Sequence, residues 1–148
     1  MQSAGMYARE LFQSGYKCAE SVLLSIASAR GIQSDILPAT ATGFCSGMAR
    51  TGGMCGAVAG SVMGLGLVYG RQIPDQSVEQ LYQVEKVFFQ KFTASFGSTS
   101  CEGLIHCDFN TEEGKAFYQA NKLQEKCFQY VEAAADLVMD LIEDNDPK

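Results

Sequence analysis

The sequence predicts an all-α protein, a compact bundle of about five to six helices around a glycine-rich central helix. Apolar residues recur at three- and four-residue steps along most of the chain, which is the period of one helix face. Strand-like alternation of apolar and polar residues persists nowhere. The chain has 148 residues, 47% of them hydrophobic, so it is long enough to bury a substantial core. We therefore expect one helical domain over residues 1–148.

Three helices are predicted in the first half of the chain. A short amphipathic helix starts near residue 4 and ends near Gly15, because glycine commonly stops helices. A second helix covers residues 18–30, and a connector follows over 31–44. A third covers residues 55–69 and lies in a run of twenty uncharged residues, about the length of a membrane span. Seven of those twenty are glycine and the strongly apolar part is short, which favours a buried central helix.

Three more helices are predicted after a turn at Pro74. Residues 77–80 have the capping-box form S-x-x-Q and predict the start of a long helix. This helix has a phenylalanine edge, which we assign to core packing. Gly97 ends the helix, and residues 98–110 form a loop. A short helix follows, and a last one covers residues 122–143 before an acidic tail.

The third helix has glycine at every fourth position from Gly56 to Gly64, so one of its edges lacks side chains. Each glycine costs about 1 kcal/mol of helix stability relative to alanine. Such a cost is tolerated where another group must come very close. A neighbouring helix is the commoner explanation, and a bulky cofactor is the alternative. On that alternative, Gly56 and Gly60 are candidate cofactor-binding residues, together with Arg50 just before the helix.

Charge and composition argue against several classes of partner. The net charge of −6 disfavours nucleic acid, because a basic patch supplies most of that affinity. No basic amphipathic segment indicates a membrane surface, and the first residues lack the features of an export signal. We therefore expect a cytoplasmic protein whose thiols stay reduced or bind metal. The apolar fraction and the aromatic edge also predict a homodimer.

The six cysteines are the main candidates for chemistry. No two of them form a C-x-x-C pair, which excludes zinc knuckles and thioredoxin-type motifs. Any joint site must therefore be assembled from distant segments. Cys18 and Cys55 lie at predicted helix N-termini, where the helix dipole lowers a thiol pKa, and we assign them as the candidate catalytic residues. Cys101 lies in a loop after a helix end, and Cys127 lies on the apolar face of the last helix.

Four segments around these cysteines resemble a known family. They are LFQSGYKCAE at residues 11–20, CSGMARTGGMCGAVAG at 45–60, FGSTSC at 96–101 and KCFQYV at 126–131. In this order they are similar to the C_GCAxxG_C_C family, whose cysteine pattern is associated with redox activity. The resemblance covers roughly residues 4–140. The cysteines that match the family's recurring ones are Cys18, Cys55, Cys101 and Cys127, whereas Cys45 and Cys107 occupy positions where members vary.

The resemblance implies a soluble redox-active protein of a kind frequent among anaerobic bacteria. A similar domain occurs in the split-Soret type of cytochrome, where an iron–sulfur centre accompanies the haems. Covalent haem is not expected in this chain, since it has no C-x-x-C-H sequence. The single histidine, His106, is interpreted as an inert loop residue rather than a ligand.

Three functions are open at this point. A metal-free thiol–disulfide protein would use Cys55 as the thiolate of lowest pKa. A zinc-stabilised interaction module is the second possibility, because zinc also binds cysteine thiolates. The favoured function is electron transfer through an iron–sulfur cluster, and whether the protein is an oxidoreductase or an electron carrier is left open. The candidate metal ligands are Cys18, Cys55, Cys101 and Cys127, with Cys45 and Cys107 as substitutes or neighbours.

Overall fold

The computed structural model describes residues 2–146 and confirms the all-α fold class. Over these residues there are no strands and nine helices, rather than five to six. The count is higher because three short helices lie in segments expected to be irregular. The helices are α1 (Ala4–Gln13), α2 (Cys18–Ala29), α3 (Leu37–Thr42), α4 (Cys45–Arg50), α5 (Gly56–Tyr69), α6 (Glu79–Phe96), α7 (Cys101–Ile105), α8 (Glu112–Ala120) and α9 (Leu123–Asn145).

Helix α5 is the glycine-rich central helix that the sequence predicts. It packs against α2, α9, α6 and α4. Ala57, Val58 and Leu65 are fully buried within the main core. A helix that is apolar all round is stable in a water-soluble fold only when its neighbours cover it, which explains this central position. Within residues 2–146, no helix combines the length and the apolar character needed to cross a membrane.

The glycine edge of α5 lies against α2. A methyl group at Gly60 would be 2.6 Å from the carbonyl oxygen of Ala19, and one at Gly64 would be 2.5 Å from Ile26 Cδ1. A methyl group at Gly56 would collide with the sulfur of Cys18. These contacts are made by a neighbouring helix, which supports the first of the two explanations for the glycine edge. The close approach of α2 places Cys18 directly beside the N-terminus of α5.

Helix α9 is the longest element and covers one side of α1, α2 and α5. It covers nearly the range predicted for the last helix, residues 122–143, and extends it to Asn145. Ion pairs attach α1 to its exposed face, with Arg9 lying 2.6 Å from Glu125 and 3.3 Å from Glu132. The backbone N–H of Gly5 donates to the Asp136 carboxylate at 2.7 Å. The buried residues of α9 are Leu123, Tyr130, Val131, Ala134, Ala135, Val138, Leu141 and Ile142.

Helix α6 begins later than the sequence predicts. The expected capping box is wrong, because Val78 precedes the first turn and Ser77 instead accepts a hydrogen bond from the Glu79 N–H at 3.1 Å. The phenylalanine edge does pack in the core, where Phe88 and Phe92 are buried. The edge therefore gives no support to the homodimer, which stays a prediction. Gly97 ends the helix as predicted, with a left-handed φ of 86°.

Candidate functional site

Four cysteines line a single cavity of about 70 Å³ between α2, α5, α7 and α9. Each comes from a different part of the chain: Cys18 is the first residue of α2, Cys55 precedes α5, Cys101 begins α7 and Cys127 lies near the start of α9. The same four cysteines match the pattern quoted for the resemblance. The other side chains of the wall are mainly apolar or aromatic, among them Phe12, Leu104, Ile105, Phe109, Tyr118 and Val131.

The position of Cys18 follows from the close packing of α2 on α5. Its side chain occupies the space that a larger residue at Gly56 would fill. The backbone N–H of Ser46 donates to the Cys18 sulfur at 3.5 Å. Cys18 also lies at the N-terminus of a twelve-residue helix, where the first backbone N–H groups favour negative charge.

A short antiparallel bridge joins the segments that carry Cys55 and Cys101. The Cys55 N–H donates to the carbonyl of Thr99 at 2.8 Å, and the Cys101 N–H donates to the carbonyl of Gly53 at 2.7 Å. These two hydrogen bonds fix the backbone of both cysteines relative to each other. Residues 46 positions apart in the sequence thus reach one cavity without a regular sheet.

Cys127 enters the cavity from α9 and contacts a residue of α8. The hydroxyl of Tyr118 donates to the Cys127 sulfur at 3.5 Å. Tyr118 is half-buried and also lines the cavity. A second tyrosine of the wall, Tyr130, donates its hydroxyl to the carbonyl of Leu104 at 3.4 Å and so attaches α9 to α7.

Helix α4 is a left-handed turn that closes one side of the cavity. From Ser46 to Arg50 the φ angles lie between 57° and 67°. Each non-glycine residue in this region costs about 1–2 kcal/mol. The turn is held by Gly53 N–H and Thr51 N–H, which both donate to the Gly47 carbonyl, at 3.0 and 3.1 Å. Gly47 is required at this point, because a methyl group there would lie 2.5 Å from the Cβ of Cys101.

A comparison with protein families decides what the chain is related to. A family model described as "Putative redox-active protein (C_GCAxxG_C_C)" matches residues 16–141. The chain belongs to the C_GCAxxG_C_C family. The resemblance noted from the sequence is thus confirmed, and the matched range contains all six cysteines. No curated protein and no solved structure matches the chain.

Burial keeps the Cys55 thiol of this C_GCAxxG_C_C protein protonated at neutral pH. Desolvation raises the pKa of Cys55 to about 12, and the neighbouring Cys101 and Cys127 add to the shift. Backbone N–H groups of Ala57 and Val58 act in the opposite direction but are outweighed. The sequence-based expectation that Cys55 has a low thiol pKa is therefore wrong: the helix N-terminus contributes as expected, but the cavity excludes water.

Two more thiols of the cavity, those of Cys101 and Cys127, also have raised pKa values. Desolvation raises the pKa of Cys101 to about 12, with further contributions from Cys127 and Cys107. Burial also raises the pKa of Cys127, although the hydrogen bond from Tyr118 opposes this shift. Burial next to Cys127 raises the pKa of the Tyr118 phenol in turn. The cavity therefore disfavours added negative charge unless a cation enters with it.

Cys45 and Cys107 lie outside the cavity. Cys45 is buried behind Cys18, its thiol donates to the Ala41 carbonyl at 3.5 Å, and a hydrogen bond with Cys18 is the main cause of its raised pKa. Cys107 lines a separate polar pocket of about 160 Å³, which it shares with Cys101. Across residues 2–146, no set of three or more His, Cys, Asp and Glu side chains is arranged to hold a metal ion.

The remaining candidate residues differ in whether they line the cysteine cavity. Gly56 lines the cavity, whereas Gly60 packs against α2 and Arg50 is exposed at the end of α4. His106 is exposed and ends α7 with a left-handed φ of 56°, so it lies outside the cavity lining.

Sequence reasoning missed two parts of the site. The first is Tyr118, because nothing in the sequence marks one of six tyrosines as a partner of Cys127. The second is the left-handed turn. Here a signal exists, since Gly47, Gly52 and Gly53 cluster between Cys45 and Cys55, and clustered glycines indicate positive φ angles.

Proposed function

We propose that this chain binds an iron–sulfur cluster and acts in electron transfer. The observation that carries the proposal is the convergence of four thiols, from four separate elements, on one cavity. Four cysteine thiolates are the usual ligand set of such clusters. The residues that would hold the cluster are Cys18, Cys55, Cys101 and Cys127.

The size of the cavity supports a small inorganic centre over an organic cofactor. The cavity volume is about 70 Å³. Pockets for organic ligands usually measure about 300–1,000 Å³. The apolar wall also fits a redox centre, because low solvent access is one of the means by which proteins set a reduction potential.

Hydrogen-bond donors around the cavity supply what a negatively charged centre needs. The Ser46 N–H already contacts the sulfur of Cys18, and the Tyr118 hydroxyl contacts that of Cys127. The N-termini of α2 and α5 add their helix dipoles. Hydrogen bonds to the ligand sulfurs raise the reduction potential of such centres by stabilising added negative charge.

Binding would change the thiols in two ways. The four side chains would have to approach one another, since among residues 2–146 no three potential ligands are arranged to hold a metal ion. They would also lose their protons, because the thiolate is the ligand. With pKa values near 12 at Cys55 and Cys101, assembly releases protons at neutral pH and is favoured by raising the pH.

Thiol–disulfide exchange is the alternative that the raised pKa values disfavour. The thiolate is the attacking species in that chemistry, and a buried thiol with a pKa near 12 is almost wholly protonated at pH 7. A zinc site remains compatible with four thiolates. It would be structural, because zinc does not change its oxidation state.

Iron and acid-labile sulfide, measured per chain on protein purified without oxygen, test the proposal. We expect both in matching amounts, with visible absorbance that is lost in Cys127→Ser. Cys107→Ser is the matched control, since Cys107 lies outside the cavity, and should retain iron and absorbance. Absence of iron and sulfide, with thiols that oxidise reversibly, would contradict the proposal in favour of dithiol chemistry. Zinc alone would make the site structural.

A further inference from the structure

A wider cleft opens beside the cysteine cavity. Its volume is about 480 Å³, within the range of pockets that bind small organic molecules. Cys18 lies in the wall of both spaces, so a molecule in the cleft would lie against one of the four thiols. The lining residues that the cleft shares with the cavity are Phe12, Cys18, Ser46, Phe109 and Tyr118.

The cleft is positively charged in a protein whose net charge is −6. Lys17, Arg50 and Lys115 line it, and no aspartate or glutamate does. Among residues 2–146, the only ion pair of these three cations is that of Lys115 with Glu112 at 3.4 Å. Exposed pairs of this kind contribute about 0–1 kcal/mol, so Lys115 is readily available to a ligand.

Three separate elements bring these cations together. Lys17 is the residue before α2, Arg50 ends the left-handed turn and Lys115 lies on α8. Asn110 donates a hydrogen bond to the Arg50 carbonyl at 2.6 Å and so fixes the end of the turn. Arg50 also borders the polar pocket that contains Glu102 and Asp108, which would compete for its guanidinium. A ligand with more than one anionic group competes best with these carboxylates, because it can also contact Lys17 or Lys115.

We propose that this cleft binds a small organic anion that carries carboxylate or phosphate groups. Arg and Lys are the side chains that recognise such groups. Aromatic residues of the cleft would contact the carbon skeleton of the ligand, and three glutamine amides can donate hydrogen bonds. The proposal goes beyond the cluster and does not depend on whether the cysteines hold one. The aromatic and amide residues are Phe12, Tyr16, Phe109, Tyr118, Gln13, Gln119 and Gln124.

Saturation-transfer NMR with isophthalate tests the proposal on the whole chain purified without oxygen. Isophthalate carries two carboxylates on a benzene ring, and its uncharged diamide has almost the same shape. We expect a signal from isophthalate that weakens with added sodium chloride, because salt screens exposed charges. We also expect inorganic phosphate to compete and the diamide to give no signal. Equal signals from isophthalate and its diamide would overturn the proposal.

Charge-removing variants locate the site. Arg50→Gln and Lys115→Gln should each weaken isophthalate binding about fivefold, which is about 1 kcal/mol. Lys86→Gln is the matched control, because Lys86 is an exposed lysine on α6 outside the cleft. Equal affinity in all three variants, with unchanged far-UV circular dichroism, would place the binding elsewhere and overturn the proposal. Iron is measured on the same samples. Isophthalate binding without iron contradicts only the cluster, and iron without binding contradicts only the anion site.

Discussion

Two neighbouring glycine-rich segments build this site by opposite means. In α5, Gly56 to Gly64 adopt ordinary helical geometry, and the absence of side chains lets α2 approach. In residues 46–53, Gly47 and Gly52 have positive φ angles, in a segment that does not follow the course of a right-handed helix. Helix α5 thus provides space for α2, whereas residues 46–53 provide a left-handed backbone turn. Both segments contact Cys18: Gly56 lies against its sulfur, and the Ser46 N–H donates a hydrogen bond to it.

The difference shows that a glycine run need not have one structural meaning. At Gly56, Gly60 and Gly64 of α5, alanine is unfavourable because its methyl group would meet atoms of α2. At a turn glycine with positive φ, alanine is unfavourable for a second reason, because its own backbone disfavours that φ angle. Substitutions that separate the two causes therefore test how the site is built.

Gly47→Ala should give the largest effect, because both causes act at once. Its φ is 67°, and the added methyl group would lie 2.5 Å from the Cβ of Cys101. We expect the free energy of unfolding to fall by about 3 kcal/mol, the sum of backbone strain and overpacking. Urea denaturation measures the loss. Gly31→Ala is the matched control, because Gly31 has a φ of 69° with nothing within 4 Å of the added methyl group. It should lose only about 1 kcal/mol, and equal losses in the two variants would show that contact with Cys101 is unimportant.

Gly60→Ala should be next, because it adds a contact within regular helix geometry. The new methyl group would lie 2.6 Å from the Ala19 carbonyl oxygen and force α2 away from α5. We expect a loss of about 2 kcal/mol, since overpacking exceeds the gain in helix propensity. Gly66→Ala, on the same helix with open space around it, should instead stabilise the fold by about 1 kcal/mol. A stabilised Gly60→Ala would contradict the close packing of the two helices.

The same contrast explains how far the sequence could predict the molecule. Helices α2 and α9 have apolar residues recurring along one face, and α5 is apolar all round, so the positions of these helices and the central role of α5 follow from the hydrophobic pattern. The four cavity cysteines were identified through the family pattern, but no spacing rule places Cys101 beside Cys55. That contact depends on a two-hydrogen-bond bridge whose segments have no strand pattern.

Local conformation and solvation were harder to predict. The turn from Ser46 to Arg50 contains four non-glycine residues with positive φ, which their own preferences oppose. Tertiary contacts such as the Asn110 hydrogen bond to Arg50 hold it in place. The pKa of Cys55 was predicted in the wrong direction because helix position is visible in the sequence, whereas exclusion of water by α7 and α9 is not.

A third prediction concerns how the stability of the fold depends on pH through the buried thiols of Cys55 and Cys101. The folded-state pKa of Cys55 and Cys101 is about 12, above the value of about 8.5 expected in the unfolded chain. Below pH 8.5 the two thiols are protonated in both the folded and the unfolded state, so the stability that their burial contributes is fully present. Above it the unfolded state loses protons first, so the contribution falls progressively up to pH 12. Urea denaturation of the metal-free chain at pH 7 to 11 should therefore show that wild type loses more stability than Cys55→Ala. Parallel pH profiles would contradict burial of this thiol.

The smallest effect is expected at Tyr118, which neither glycine segment positions. Tyr118→Phe removes the hydroxyl that donates to the Cys127 sulfur at 3.5 Å. The length of this contact places the stability loss at about 0.5 kcal/mol, the lower end for a hydrogen bond. The pKa of Cys127 should rise further, because the lost hydrogen bond had lowered it. Its alkylation by iodoacetamide should then shift to higher pH in a chain whose other cysteines are serine. Tyr82→Phe, an exposed tyrosine on α6, is the control, and identical pH profiles in both variants would show that α8 does not tune the site.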